Sequence, residues 1–409
     1  MNRTILISLV TLSFLTGAYA NETKSSSEIM REALIEMKKL VGETTPAVLT
    51  ERKRDSNTTE VVTEKKDSNI TEVVSENTDT NNTNAVEEKT EDNTTQAVET
   101  EFTLGKYGTF KFKQANENVY IMHGPVVGPN KENKGFMNNP AIIEGENGLI
   151  VVDPGGNYNV GKQILAEIEK VSTKPILAVF NTHKHGDHWF ANKAIVEKYP
   201  NVNIYAHPNM IKVSKEGEAE VWYGILNRTT ENLEGTKEFA FPTKELTDGQ
   251  AIEVDGQKFV VMHPKVAHTD TDLLIAHVNS KTLFLGDNLM KGRLGSFDES
   301  SSIFGNIKLL EKLKKETDFT LYVPGHGASG KKDETIDPFL NYLKVLTVEG
   351  QKAYDEDKES YEVKKEVLEL FTDLKSWDAF ERNMPGHLNK AMMEIGEAEL
   401  LSEEEEEDE

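Results

Sequence analysis

The run Asn181-Thr182-His183-Lys184-His185-Gly186-Asp187-His188-Trp189 packs four potential metal ligands, His183, His185, Asp187 and His188, into six positions directly after the apolar stretch 176–180. Imidazole and carboxylate donors of this kind suit zinc or iron. Three further candidates stand far downstream. His268 follows the strand-like run 258–262, Asp287 ends Leu283-Phe284-Leu285-Gly286, and His326 follows Tyr322-Val323-Pro324-Gly325. A fold that unites them must bring four strand ends to one edge, where sheets carrying a helical layer commonly place their sites. Any one of these histidines alone reads as a surface or satisfied core residue. Seven in this order read as a site.

The ends of the chain answer to other pressures. Residues 1–20 read as a secretory signal, with Arg3, the apolar run 5–15 and the small-x-small pattern Ala18-Tyr19-Ala20. That run is shorter than the roughly 20 residues a membrane-spanning helix requires. The mature protein is therefore expected to be exported, periplasmic or secreted, without a transmembrane segment. Residues 21–101 are expected to form a disordered, low-complexity acidic tether, because 50–100 is mostly Glu, Asp, Asn, Thr and Lys and cannot repay its ordering entropy. Within it Val61-Val62, Val73-Val74, Ala85-Val86 and Ala97-Val98 recur every twelve residues, a repeat too poor in apolar mass for a solenoid. The Asn-x-Thr triplets at Asn57, Asn69, Asn81 and Asn93 would matter only in a glycosylating pathway.

Residues 403–409 are an unbroken acidic run, expected to stay solvated. With a formal net charge of −24, the chain is not expected to bind nucleic acid. The chain has no cysteine, so neither a disulfide nor a thiolate ligand or nucleophile is available.

The remainder divides into a main domain at 102–335, a helical appendage at 336–400 and the acidic tail 401–409. Short apolar or alternating runs predict strands at 109–113, 119–122, 141–144, 149–152, 176–180, 202–206, 251–254, 258–262, 273–277, 282–285 and 319–323. Helical patterns fall at 160–171, 187–199, 303–315 and from 335 onward, where they are expected to form a cap or an interaction surface. The class is α/β, with helices on the outer faces of sheets.

These motifs resemble the metallo-β-lactamase superfamily over roughly 119–327. Its H-x-H-x-D-H motif stands as His183-Lys184-His185-Gly186-Asp187-His188, its third histidine motif as Ala267-His268-Thr269-Asp270, its bridging aspartate as Leu285-Gly286-Asp287 and its last histidine as Pro324-Gly325-His326-Gly327. The resemblance implies a four-layered αβ/βα sandwich and two divalent ions, zinc or alternatively iron. One would be held by His183, His185 and His268 and the other by Asp187, His188 and His326, with Asp287 bridging. It also implies that Asp153, in Val151-Val152-Asp153-Pro154-Gly155-Gly156, supports the ligands from behind, although an Asp there also suits a turn cap. Gly124-Pro125, the stretch Gly135-Phe136-Met137-Asn138-Asn139-Pro140 and the segment at Asp153 are similar to exported members described as quinoprotein relay system zinc metallohydrolases.

Two departures narrow the family. A bridging Asp287 without any cysteine differs from β-lactamases that use a cysteine in the second metal site, and His185 differs from the flavodiiron pattern, which has a carboxylate there. The expected function is a dinuclear-metal hydrolase in which a metal-bound hydroxide, oriented by the catalytic Asp187, attacks an ester, thioester, amide or lactam of a small molecule. Lys291 and Arg293 are expected at the substrate mouth, with His263 as a pocket neighbour. The other histidines, His123, His207, His277 and His387, are expected to be structural, and Trp189-Phe190 to be core. Two alternatives remain. One is a mononuclear non-haem iron oxidoreductase of the same superfamily at His183, His185 and His268. The other is a non-catalytic periplasmic metal-binding protein whose tether or terminal helices dock a protein partner.

Overall fold

A computed structural model describes residues 101–407; the expected signal, tether and repeats lie outside these residues, apart from Glu101. After a small pair of strands, β1 (Phe102–Thr103) and β2 (Thr109–Phe110), two larger sheets form, each with its strands in chain order. The first holds seven strands: β3 (Lys113–Asn116), β4 (Val119–Ile121), β5 (Ala141–Glu144), β6 (Leu149–Val152), β7 (Ile176–Phe180), β8 (Asn203–Ala206) and β9 (Lys244–Glu245). The second holds five: β10 (Ala251–Val254), β11 (Gln257–Met262), β12 (Leu274–His277), β13 (Thr282–Gly286) and β14 (Leu321–Pro324). Pairs joined by tight turns run antiparallel. Pairs separated by a helix, such as β6–β7 and β13–β14, run parallel, because a crossover returns the chain to the same end of the sheet.

Strand alternation builds the layers. Ile143, Ile150, Val152, Ala178 and Phe180 face Phe259, Val261, Ile275 and Phe284 of the other sheet in one buried cluster. Their neighbours Ile142, Leu149, Val151 and Val179 turn the opposite way and pack on Val160, Ile164 and Ile168 of the helix Tyr158–Val171. That helix starts at Asn157, whose side chain accepts a hydrogen bond from the Val160 N–H at 2.8 Å. On the far face of the second sheet Leu274, Leu283, Leu285 and Tyr322 join Phe339, Leu343, Leu346, Met384 and Leu388 of the helices Lys332–Asp355 and Phe380–Glu407. The order is helix, sheet, sheet, helix.

Three expectations need revision. The helix read over 187–199 is two pieces, Gly186–Trp189 and Asn192–Lys198. It breaks because the Gly155 backbone intervenes, donating from its N–H to the His188 carbonyl at 3.2 Å and accepting from the Ala191 N–H at 2.9 Å. Between β8 and β9, where no helix was read, Pro208–Val213 and Ala219–Thr230 are helical, joined through a wide turn in which Gly217 takes φ 129°. The terminal helices share the core of the second sheet and do not project as a cap. The last of them carries the acidic run onward in helical form to Glu407. Among the described residues no helix is long and apolar enough to cross a membrane.

The shared core yields a stability prediction. Leu343 is fully buried between the second sheet and the terminal helices, and Leu343→Ala should cost about 2–5 kcal/mol. Urea unfolding followed by tryptophan fluorescence and far-UV circular dichroism should show one shifted transition. Two separated transitions would show that the terminal helices fold apart from the sheets.

Candidate metal centre

The motif residues come from strand ends of both sheets. His183, His185, Asp187 and His188 follow β7; Asp153 follows β6; His268 precedes β12; Asp287 follows β13 and His326 follows β14. Two groups of donor atoms result, each lying within 4.8 Å of one another: His183, His185, His268 and Asp287 in one, Asp187, His188 and His326 in the other. All seven residues are buried. The two groups meet at Asp287, whose Oδ2 lies 3.3 Å from His326 Nε2 and 3.9 Å from His268 Nε2, while Oδ1 lies 3.3 Å from His188 Nε2.

The placement of this shared carboxylate depends on a glycine. A Cβ on Gly325 would run into Asp287 Oδ1, so a side chain there would displace the carboxylate that both groups touch. Opposite it, Asp153 takes the left-handed conformation, φ 47°, which a non-glycine residue adopts at a cost. Its carboxylate accepts from the Thr182 N–H at 2.9 Å, from Thr182 Oγ1 at 2.6 Å and from His188 Nδ1 at 2.9 Å. The backbone of Asp153 is held in turn by Asn138, which donates from Nδ2 to its carbonyl at 2.7 Å.

These contacts set the ring orientations. A carboxylate can only accept, so His188 donates from Nδ1 and turns Nε2 inward. His326 likewise donates from Nδ1 to the Met137 carbonyl at 2.8 Å. The two Nε2 atoms then face each other 3.3 Å apart, and His268 Nε2 stands 3.1 Å from His185 Nδ1. Each pair can share a proton as a hydrogen bond, and a cation bound between the two nitrogens would take both lone pairs in its place. Donors bonded at about 2.0–2.1 Å to one tetrahedral ion would be roughly 3.3 Å apart, which is the spacing found. Buried His183 Nε2 and Asp287 Oδ1 make no hydrogen bond, a further pair of atoms that a cation would satisfy. The residues present fit a metal.

Protonation follows the same division. Burial holds His183 well below the ordinary histidine pKa and pushes His268 down to about 3, leaving both rings in the neutral form that ligates. For His188 burial also opposes charge, but Asp287, Asp187 and Asp153 outweigh it and raise the pKa well above the usual value. Asp187 and Asp287 are lowered in spite of burial by His188 and His326. This half of the cluster is built to hold positive charge.

Of the residues expected at the mouth, Arg293 comes nearest to the ligands, with Nη1 3.2 Å from His326 Nδ1. Lys291 packs its backbone carbonyl against Gly327, where a Cβ could not fit. The ring of His263 stacks on His207, with centroids 3.9 Å apart, and its Nδ1 bonds the Asp272 carbonyl at 2.7 Å. It is therefore part of a loop brace. Trp189 is core, fully buried with Phe190 and Met210.

Two neighbours of His185 went unread in the sequence. Trp222, from the unexpected helix Ala219–Thr230, lies 4.4 Å from its ring at 38°, and Asp298 Oδ2 stands 3.6 Å from its Nε2. The spacing of Ala219, Trp222 and Leu226 was the available signal for that helix. No local pattern marks Asp298.

A model of the metallo-beta-lactamase superfamily matches residues 133–326. Over 207 residues the chain is 28% identical to a "Probable metallo-hydrolase" of Methanocaldococcus jannaschii, covering 48% of this chain and 91% of that one. Over 74 residues it is 40% identical to a linear primary-alkylsulfatase of a Pseudomonas species, which is 17% of this chain and 14% of that protein. Among solved structures, a double mutant of the sec-alkyl sulfatase PisA1 superposes with a TM-score of 0.57 at 15% identity, covering 70% of this chain and 50% of that one. The fold, the ordered ligand motifs and the family-model match define the class: residues 133–326 match the metallo-β-lactamase superfamily, whose members are mostly hydrolases.

The role of Asp153 can be tested directly. Asp153→Asn keeps a residue that tolerates φ 47° but removes the charged acceptor behind His188. Metal affinity, measured by competition with a chromophoric chelator, should fall about 10- to 100-fold. An unchanged affinity would reduce Asp153 to a turn cap.

Proposed function

We propose that this protein is an exported, two-metal hydrolase, with zinc as the metal, acting on an ester, thioester, amide or lactam of a small molecule. One observation carries the reading: the Asp287 carboxylate lies between two complete donor groups, within 3.3 Å of His326 and His188 and 3.9 Å of His268. A mononuclear centre would need only His183, His185 and His268. The second group, Asp187, His188 and His326, is equally buried and equally braced, which favours two ions over the iron oxidoreductase alternative.

When bound, two divalent ions lower the pKa of a water and polarise the oxygen of the bond under attack. The chain's own residues do the rest. His183, His185 and His268 would hold one ion, and Asp187, His188 and His326 the other. Asp187 stays ionised beside His188 and His326, with Oδ2 3.2 Å from His326 Nε2, so it would accept a hydrogen bond from an attacking nucleophile and orient it. Asp153 keeps His188 aimed inward while this happens, and the Met137 carbonyl does the same for His326. No side-chain nucleophile is required, consistent with the absence of cysteine.

The identity of the leaving group is a matter for a panel of esters, thioesters, lactones, β-lactams and alkyl sulfates, the last included because of the short stretch similar to an alkylsulfatase. On whichever substrate turns over, a chelator should abolish activity and added zinc restore it. Asp187→Asn should lower kcat about 10²- to 10⁴-fold. Turnover that survives complete metal removal would overturn the proposal.

A further inference from the structure

The loop 291–298 leaves the ligand Asp287 and touches three other ligands. Arg293 reaches His326 at 3.2 Å, Phe297 lies 6.2 Å from the His268 ring and Asp298 stands 3.6 Å from His185. No strand or helix includes this loop. Asp298 is held by Lys184 at 3.3 Å and by Ser301, while the backbone from Gly292 to Gly295 is fixed by the last helix and the turn before it. The Asp378 N–H donates to the Gly292 carbonyl at 2.9 Å, and the Leu294 N–H donates to the Asp378 carbonyl at 3.0 Å. Asn383 donates from Nδ2 to the Leu294 carbonyl at 2.7 Å and to the Gly295 carbonyl at 3.1 Å. His387 completes the set, with Nε2 2.9 Å from the Gly295 carbonyl.

The state of His387 follows from its partners. A carbonyl only accepts, so Nε2 carries the proton, and Nδ1 accepts from the Tyr342 hydroxyl at 2.9 Å. Nε2 holds the loop, Nδ1 fixes the ring on Tyr342, and the ring packs on Phe297 at 4.7 Å and 72°. His387 is 1% exposed, so this is a dry contact. A continuous chain of contacts runs from Tyr342 through His387 and Phe297 to the ligand His268.

We propose that the C-terminal helices position the metal centre, with His387 and Asn383 as positioning residues that hold the loop 291–298 against His326, His268 and His185. The inference rests on the metal-binding part of the functional reading and is independent of which bond the protein cleaves. Helices engaged in this way are part of the site itself, whatever else their outer faces do. The loop's carbonyls would otherwise need other partners, and Arg293 and Phe297, which meet His326 and His268, would lose their support.

Cobalt(II) titration of the full chain tests this, because the visible d–d bands report ligand geometry without any substrate. His387→Ala should weaken cobalt binding by about 10-fold or more, the range seen when residues behind metal ligands are removed, and should shift the bands. His387→Gln, which can still donate to Gly295 and accept from Tyr342, should restore both. Asn383→Ala should act in the same direction, and it decides the matter if His387→Ala fails to fold. Met393→Ala, on the exposed face of the same helix, should change nothing. Folded His387→Ala or Asn383→Ala with the parent's affinity and spectrum would overturn the inference. A parent chain that binds no cobalt would instead sink the metal reading on which it rests.

Discussion

Everything at this sheet edge depends on the burial of Asp287. A carboxylate taken out of water is costly unless it is paired, and here it is surrounded by imidazole nitrogens, several of which point lone pairs inward. Protons can neutralise part of the cluster, since a protonated His188 would pair with Asp287, but they leave buried His183 Nε2 without a partner. Cations satisfy the whole set at once. The surroundings serve that arrangement: the strained backbone of Asp153, the bare Gly325 and the carbonyl of Met137 each fix the direction of one ligand.

What could be read from the sequence was what repeats or what stands in a motif. β5, β6, β7, β12 and β13 are short, nearly unbroken apolar runs, so the sequence makes them visible together with the ligands near their ends. The orientation of those ligands was less accessible. Asp153 was singled out, but its bonds to Thr182 and His188 depend on a backbone conformation that no spacing reveals. The sequence assigns Asn138 and Asn139 no role, yet Asn138 holds the carbonyl of Asp153 and Asn139 those of Pro324 and Gly327.

The misses share a physical origin, since each depends on contacts distant in the chain. The helix 187–199 was read as continuous because nothing in its own sequence announces Gly155, some 35 residues earlier, competing for its hydrogen bonds. Trp222 and Asp298 reach His185 from segments 37 and 113 residues away, and neither carries a ligand motif. The sequence reads His387 as structural. It is structural in a specific sense, since the element it braces is the loop that meets three ligands.

The most direct test of the central claim is anomalous X-ray diffraction from crystals of the full chain, recorded on both sides of the zinc absorption edge. The account predicts two strong peaks, one coordinated by His183, His185 and His268 and one by Asp187, His188 and His326, with Asp287 touching both. A single peak at the first group would contradict the two-metal centre, and crystals grown with zinc that show no peak at this edge of the sheets would contradict the account altogether.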